Sequence, residues 1–347
     1  MKLYTPEGWV DIPRIRATGL PFIALVGGRG TGKTYGALKQ ARAESDPDNR
    51  FLLMRRRNTQ VQLLSQPEFN PFNTLDRDMG YHTVIKSVNE KVSGFYDGHL
   101  ADDETIKPSG PPLGYLAALS TFSSLRGWDG SMISLIIGDE FIPEPHEPLI
   151  KSEAQVWFNC YETIARNREL QGRKPVQMLW LSNANSLGNP LFLELGIVRR
   201  VERMCEKGLE WWQDDSKGLG IGILRDSPIS QQKAATALYR LTAGTEFASM
   251  ALDNEFSAEE RGSTGTASLK DLVPIVAVGE LCVYRRKAGG FYVSGHVSGS
   301  PPRYGSGEKD LQRFRLRFPY LWQAFMTRKI TFEDYVCEIL FCKYFKF

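Results

Sequence analysis

The sequence predicts a doubly wound α/β domain followed by a smaller α+β domain. A glycine-rich loop that ends in Lys33-Thr34 lies between an apolar run and a helix-like run. Short apolar runs, each of the length expected for a buried parallel strand, then alternate with helical patterns as far as about residue 196. We therefore place an α/β domain at residues 1–197, a linker region at 198–226 and the second domain at 227–347.

The glycine-rich loop has both the residues and the setting of a phosphate-binding loop. It follows the apolar run 21–26, precedes the helix-like run 35–44, and reads Gly27-Gly28-Arg29-Gly30-Thr31-Gly32-Lys33-Thr34. This matches the pattern G-x-x-x-x-G-K-[ST] in the strand–loop–helix context that the pattern requires. Glycines let backbone N–H groups surround an anionic phosphate, and the helix N-terminus adds the positive end of its dipole.

Two side chains of the loop have separate predicted roles. Lys33 can reach the β- and γ-phosphates, and the Thr34 hydroxyl can bind Mg²⁺. The alternative is a glycine-rich turn that ends in Lys-Thr by chance, and the flanking strand and helix argue against it. The sequence therefore predicts a site for ATP and Mg²⁺ formed by all eight loop residues.

The rest of the chain predicts further regular elements. Buried strands are expected at 51–54, 114–121, 133–137 and 176–181, and helices at 59–80, with breaks at Pro67 and Pro71, and at 150–170. Residues 82–86 and 92–97 have a hairpin pattern, whereas the polar, proline-rich segment 101–112 is expected to be a loop. In the second domain we expect a hairpin that turns at Gly289-Gly290 and a final amphipathic helix with one apolar face, formed by Phe332, Tyr335, Val336, Ile339 and Leu340.

Two carboxylates follow the apolar run 133–137. Ligands of open α/β sheets bind at the carboxyl ends of the strands, so Asp139 and Glu140 are expected to face the phosphate loop. Asp139 would hold Mg²⁺, usually through water, and Glu140 would orient and deprotonate the attacking water. A surface acidic pair is the alternative, which the phosphate loop earlier in the chain disfavours. A catalytic Glu beside the Mg²⁺-binding Asp indicates hydrolysis for mechanical work.

Other polar residues could complete this site. Asn183 ends the run 176–181 and could lie near the γ-phosphate as a polar sensor, although Asn also suits a turn after a strand. Cations must neutralise the charge that develops on the transferred phosphoryl group. Four arginines are candidates, although a single arginine is more often a surface residue than a catalytic one, and spacing does not choose among Arg29, Arg126, Arg166 and Arg168.

The C-terminal end of the chain is basic. Residues 281–347 contain twelve Lys/Arg and five Asp/Glu, so this segment has a net charge of +7 and the rest of the chain has a net charge of −4. Arg285-Arg286-Lys287 crowds the predicted hairpin turn, and in an extended run Arg313, Arg315 and Arg317 would share one face. Such a surface suits nucleic-acid phosphates without base specificity, and a charge-protected edge strand is the alternative.

The same end lacks the acids of a two-metal nuclease. Two Mg²⁺ ions need several carboxylates from adjacent strands. The runs 273–278 and 291–296 contain none, and Glu280, which follows the first run, cannot hold two metal ions by itself. We therefore expect a domain that binds nucleic acid without cutting it.

Cysteine and histidine usage bears on the compartment. The five cysteines are scattered without C-x-x-C and only four histidines are present, which argues for a reducing compartment and against a zinc site. Neither an apolar run of membrane-spanning length nor a signal pattern is found, so we expect a soluble, intracellular protein without a membrane partner.

Taken together, the motifs resemble those of the encapsidation ATPases of phi29-like podoviruses, which are related to the large terminase ATPases. The resemblance continues through nearly the whole chain, and it is carried by the phosphate loop, Asp139-Glu140-Phe141-Ile142, Arg166-Asn167-Arg168-Glu169, Leu181-Ser182-Asn183-Ala184, Gly244-Thr245-Glu246-Phe247, Leu252-Asp253-Asn254-Glu255-Phe256 and Ala324-Phe325-Met326.

The resemblance implies a RecA-like additional-strand ATPase that acts as a homopentameric ring on double-stranded DNA at the capsid portal. Such a protein works in the cytoplasm of the infected bacterium, transiently at the portal vertex of the procapsid. Arg166 matches the family's arginine finger, and Arg126 stands where the family has a trans-acting lysine. Arg55 and Arg56 match a basic pair after the second strand. The C-terminal domain resembles an RNase H-like nuclease that has lost its metal site, and some relatives use a packaging RNA.

Three functions remain open at this point. The leading one is an ATP-driven DNA translocase without nuclease activity. The second is a complete large terminase whose C-terminal domain also cuts DNA. The third is a P-loop switch that hydrolyses ATP slowly and moves nothing.

Overall fold

The computed structural model describes residues 1–101, 105–125, 127–144, 147–225, 227, 229, 235–245 and 264–345. Within these ranges the chain forms two units. The first contains Met1–Leu195 and the described part of 200–245, and the second contains Gly196–Arg199 and 264–345.

A nine-stranded sheet lies at the centre of the first unit. Its strands in chain order are β1 (Phe22–Gly27), β2 (Arg50–Arg55), β3 (Thr83–Asn89), β4 (Val92–Leu100), β5 (Ile106–Ala118), β6 (Ile133–Asp139), β7 (Gln177–Ser182), β8 (Trp211–Asp214) and β9 (Leu219–Leu224). Across the sheet their order is β3-β4-β5-β2-β6-β7-β1-β9-β8. The six neighbouring strands β5-β2-β6-β7-β1-β9 are parallel to one another. At one edge β4 pairs antiparallel with β5 and β3 with β4, and at the other edge β8 pairs antiparallel with β9.

Eight α-helices are described in and beside this unit. They are α1 (Ile12–Arg16), α2 (Lys33–Glu44), α3 (Asn58–Leu64), α4 (Asn73–Met79), α5 (Glu153–Ala165), α6 (Pro190–Leu195), α7 (Val198–Glu206) and α8 (Ala237–Leu241). Short 3-10 turns lie at Pro67–Phe69, Leu119–Leu125 and Glu169–Gln171.

Strand β7 shows why helices cover both faces of the sheet. Its residues alternate in direction, so Leu181 belongs to the core that contains Leu38 of α2. Trp180 points the other way and meets Trp157 of α5 edge-on, with ring centroids 6.4 Å apart. Buried on both faces, the central strands read as continuous apolar runs. The predicted doubly wound α/β fold is therefore confirmed.

Two segments differ from the sequence-based expectation. The predicted loop 101–112 contributes most of β5, which pairs with β4 from Ile106 onward. The predicted linker 198–226 contains α7, β8 and β9, and β9 pairs in parallel with β1. All six residues of β9 are buried, but two of them are glycines, which weakened the apolar pattern. A Cβ at Gly222 would lie 2.7 Å from the Leu25 Cδ2 atom of β1, so glycine leaves room for that side chain.

The second unit is the smaller α+β domain that the sequence predicts. Its sheet has the order β13-β10-β11-β12-β14, with strands β10 (Val273–Val278), β11 (Leu281–Arg285), β12 (Phe291–Ser294), β13 (Arg303–Tyr304) and β14 (Ile330–Phe332). A 3-10 turn lies at Leu269–Asp271, and the helices are α9 (Glu308–Arg317), α10 (Pro319–Met326) and α11 (Tyr335–Phe345). Phe332 closes β14 and so lies outside the final helix. Among the described residues, the structure has no helix long and apolar enough to span a bilayer.

Candidate nucleotide site

The glycine-rich loop connects β1 to α2, as predicted. Gly30 and Gly32 have φ values of 68° and 87°, a region that side-chain-bearing residues rarely adopt. Gly27 lies so close to β9 that an added Cβ would be 2.4 Å from the Leu224 Cβ. The glycines are therefore required by the turn and by the neighbouring strand.

Lys33 and Thr31 are fixed inside the loop. The Lys33 side chain is buried, and its Nζ donates to the carbonyl oxygens of Gly27 at 3.0 Å and Gly28 at 2.7 Å. Thr31 is also buried, and its hydroxyl donates to Gly28 O at 3.3 Å. A buried ammonium among loop carbonyls is placed to exchange these partners for phosphate oxygens.

The structure brings Thr34 and the carboxylates of β6 together. The Thr34 hydroxyl donates to Asp139 Oδ1 at 3.0 Å. This contact joins the first turn of α2 to the end of β6, 105 residues away in sequence. A hydroxyl and a carboxylate are hard oxygen donors of the kind Mg²⁺ prefers, so these two residues fit that ion.

Arg55, at the end of β2, contacts both the predicted Mg²⁺-binding carboxylate, Asp139, and the predicted catalytic one, Glu140. Its Nη1 lies 2.9 Å from Asp139 Oδ2 and 3.1 Å from Glu140 Oε2. The contact exists because β2 is the neighbour of β6 in the sheet. From sequence, Arg55 was identified only through the resemblance, and its reach to Glu140 is new.

Glu140 differs from Asp139 in exposure and backbone. Asp139 is buried, whereas the Glu140 side chain is 48% exposed and its φ is 59°. Loss of water contact raises the pKa of Glu140, Arg55 opposes this, and the nearby negative charge of Asp139 adds to the rise. A partly buried carboxylate with a raised pKa, which still reaches solvent, is suited to accept a proton from water.

Asn183 lies at the same edge of the sheet. It follows Ser182, which pairs with Val26 of β1, and Leu181 pairs with Asp139 of β6. This register places the end of β7 between the ends of β1 and β6, and the role of Asn183 as a γ-phosphate sensor stays a prediction.

Arg56 is a residue whose structural role the sequence did not predict. Its side chain is fully buried, and its Nε and Nη2 bind both carboxylate oxygens of Glu153 at 2.7 and 2.8 Å. Its Nη1 also binds Glu147 at 2.6 Å. The two consecutive arginines therefore have different roles. Arg55 contacts the site carboxylates Asp139 and Glu140, whereas Arg56 binds Glu153, the first residue of α5.

The predicted arginine candidates separate into different environments. Arg29 pairs with Glu144. Arg168 is buried and donates to Ile133 O at 2.7 Å, so it supports β6. Arg126 lies outside the described residues.

Arg166 is exposed, as Arg29 is. It caps the C-terminal end of α5 with a φ of 44°, and its Nη2 donates to Trp128 O at 2.7 Å. Positive φ at a non-glycine residue is strained and often occurs at functional sites. Its guanidinium is held by the Thr163 and Trp128 backbone carbonyls, to which it donates, and its charge acts on the nearby Asp129.

In the second unit the basic turn is present as predicted. Arg285 ends β11, and Arg285 and Lys287 are exposed. Arg286 lies over the Tyr292 ring at 5.4 Å. These three residues remain candidates for contact with phosphates.

The prediction for the second basic run is wrong. Residues 313–317 belong to helix α9, because Leu311, Phe314 and Phe318 bury at helical spacing. Arg313 and Arg317 are exposed one turn apart. Arg315 is buried, and it donates to Tyr344 O at 2.8 Å and to Glu308 at 3.1 Å, so it cannot bind DNA from this position.

This correction predicts different consequences for neighbouring arginines. Arg315→Ala should lower the free energy of unfolding by about 1–3 kcal/mol, since it leaves the buried Tyr344 carbonyl without this donor. Arg313→Ala, on the exposed side, should stay within about 0.5 kcal/mol of the parent chain. Urea unfolding followed by circular dichroism compares them, and equal values for both variants would contradict the assignment.

A cluster of side chains that the sequence did not predict lies after β14. The ligand atoms of Glu333, Asp334 and Cys337 lie within 4.8 Å of one another. Arg199 enters this cluster, with its Nη1 3.2 Å from Asp334 Oδ2, its Nη2 3.2 Å from Cys337 Sγ and its Nε 3.9 Å from Glu280. Burial and Asp334 raise the pKa of Cys337 to about 12. A permanent cation and a neutral thiol disfavour a metal ion here.

With this geometry in place, comparisons with known proteins give the family. The family described as Podovirus DNA encapsidation protein (Gp16) matches residues 4–271. The DNA packaging protein of Bacillus phage phi29 is 30% identical over 267 residues, which cover 74% of this chain and 67% of that protein.

Two solved structures share the fold of nearly the whole chain. The Phi-28 gp11 DNA packaging motor matches with a TM-score of 0.63 at 17% identity, covering 99% of both chains. The bacteriophage Phi-29 viral genome packaging motor assembly matches with a TM-score of 0.61 at 21% identity, covering 97% of this chain and 99% of that one. On the family match and the phi29 relative, this chain belongs to the podovirus DNA encapsidation protein family.

Proposed function

We propose that this chain is the ATPase of a genome-packaging motor, which hydrolyses ATP to move double-stranded viral DNA into a procapsid. The observation that carries the proposal is the convergence of Thr34, Asp139 and Glu140 beside a phosphate-binding loop. The family and the phi29 relative, which is named a DNA packaging protein, supply the substrate class.

Each residue of the site has a task in hydrolysis. Backbone N–H groups of the loop and Lys33 would bind the β- and γ-phosphates. Thr34 and Asp139 would hold Mg²⁺, which neutralises phosphate charge when bound. Glu140 would accept the proton of the attacking water, and Arg55 would hold that carboxylate in place. Asn183 would contact the γ-phosphate side of the site.

Coupling between subunits is the second part of the proposal. We infer a homopentameric ring at the capsid portal, in which Arg166 of one subunit completes the site of its neighbour and Arg126 assists. The exposure of Arg166 at the end of α5 supports this role. The ring would work in the host cytoplasm at the portal vertex, with a packaging RNA as a further component if this chain follows the relatives that use one.

For the second unit we propose DNA contact without cleavage. Arg285, Arg286 and Lys287 on the exposed turn suit phosphate binding, and exposed Arg313 and Arg317 extend the candidate surface. Strands β10 and β12 carry no carboxylate, and in the cluster after β14 Arg199 pairs with Asp334, so the described residues offer two metal ions little to bind, which favours a translocase over a complete terminase. Incubation with supercoiled plasmid and Mg²⁺ tests this, and cutting lost with Asp334→Ala would favour the terminase.

The decisive experiment is DNA packaging into purified procapsids, with ATP consumption followed in parallel. Lys33→Ala should abolish both, because it removes the buried ammonium that would bind phosphate. Lys39→Ala is the matched control, since this lysine is exposed on the same helix, and it should package normally. Hydrolysis that DNA and procapsids leave unchanged, without DNA uptake, would instead favour the switch.

A further inference from the structure

A hairpin at the N-terminus is attached to the phosphate loop. Tyr4 and Val10 form an antiparallel bridge, and Asp11 N donates to Leu3 O at 2.8 Å. Val10 N donates to Thr31 O, within the phosphate loop, at 3.1 Å. Because Leu3 and Val10 are buried, the hairpin is fixed to the loop by both packing and backbone hydrogen bonds.

The segment that leaves β9 holds the same hairpin from another side. The Ser227 hydroxyl donates to Gly8 O at 2.9 Å and accepts from Ile229 N at 3.3 Å. Ser227 is fully buried. The turn that contains Gly8 is therefore tied both to the phosphate loop and to the chain after β9.

Trp9 is the large aromatic residue exposed on this fixed turn. All seven tryptophans lie in the described part of the chain, and Trp9 alone among them is classed as exposed, at 46%. Its ring stands beside Gly32, where a Cβ would be 3.1 Å from the Trp9 Cε3. A large indole is thus presented to solvent next to the N-terminus of α2.

We propose that Trp9 is the stacking surface for the base of the bound nucleotide. The inference rests on the proposed ATP site, in which the loop binds the phosphates and leaves the base to be held elsewhere. The surroundings of Lys33, Asp139 and Glu140 are polar and charged, so they offer a flat apolar base little surface. Trp9 supplies an aromatic face on a backbone that is already ordered, which limits the entropy lost on binding.

Stacking also defines the substrate class. Every base has a π-face, so an indole without hydrogen bonds to base edges accepts different bases. We therefore expect the site to take nucleoside triphosphates in general, with purines bound more tightly than pyrimidines because they cover more of the ring.

The test removes the base and the indole separately. Binding of Mg²⁺-ATP and of Mg²⁺-tripolyphosphate, which has no base, is measured by calorimetry for the parent chain, Trp9→Ala and Trp9→Phe. Trp9→Ala should weaken ATP binding about tenfold and leave tripolyphosphate binding unchanged. Trp9→Phe should recover most of the ATP affinity, because it restores an aromatic face.

The two ligands separate the inference from the function on which it rests. Equal loss of both ligands in Trp9→Ala would show that the indole only supports the phosphate loop, and would overturn the stacking role. ATP binding that is unchanged in Trp9→Ala would overturn it as well. A parent chain that binds neither ligand would overturn the proposed ATP site together with the inference.

Discussion

Glu140→Gln should bind Mg²⁺-ATP with near-normal affinity and hydrolyse it at least about a hundredfold more slowly. Gln keeps the shape of the side chain, but it loses the charge that pairs with Arg55 and cannot accept the proton of the attacking water. The Lys33 and Thr34 contacts that would bind phosphates and Mg²⁺ do not involve this side chain. Nucleotide titration and steady-state phosphate release measure the two effects separately.

Two further variants show whether the slow hydrolysis comes from loss of the proton acceptor itself. Glu162→Gln makes the same chemical change on an exposed part of α5 and should hydrolyse normally. Arg55→Ala removes the cation that contacts both carboxylates but keeps Glu140 as the proton acceptor. This variant should therefore also hydrolyse ATP more slowly, but less so than Glu140→Gln. Near-normal turnover by Glu140→Gln would show that another group activates the water.

The parts of this site that were predictable are those specified by local sequence. The phosphate loop has its pattern within eight consecutive residues, and Asp139-Glu140 directly follows a buried run. The contacts of Arg55 were not predictable in this way, because they depend on β2 lying beside β6 although three strands separate them in sequence. Sequence order alone does not determine which strand ends meet.

The errors have physical causes too. In 311–318 the alternation of arginine with apolar residues suggested an extended strand, yet Leu311, Phe314 and Phe318 have the spacing of one helical face. Leu316, which the strand interpretation would bury, is 83% exposed. The short segment fits both a strand pattern and a helix pattern. Packing against α11 favours the helix, because it brings the Phe314 and Phe345 ring centroids to 4.8 Å from each other.

The second large effect concerns Arg166. Arg166→Ala should reduce hydrolysis by a factor on the order of a thousand, the scale on which arginine fingers act. If Arg166 completes the site of a neighbouring subunit, mixing this variant with Glu140→Gln should restore activity that neither has alone. In randomly assembled rings of equal proportions, about a quarter of the interfaces pair an intact Glu140 with an intact Arg166. Phosphate release across a series of mixing ratios measures the recovery.

The shape of the mixing curve decides between action within one chain and action between chains. Recovery should be greatest near equal proportions, because an excess of either variant removes intact pairs. Arg173→Ala, a nearby exposed arginine, should be active alone and show no such maximum. If Arg166 acted within its own chain, every subunit in the mixture would lack one essential group. Absence of recovery at all ratios, in rings shown to contain both variants, would therefore rule out completion of the site by a neighbour and leave Arg166 to its own subunit.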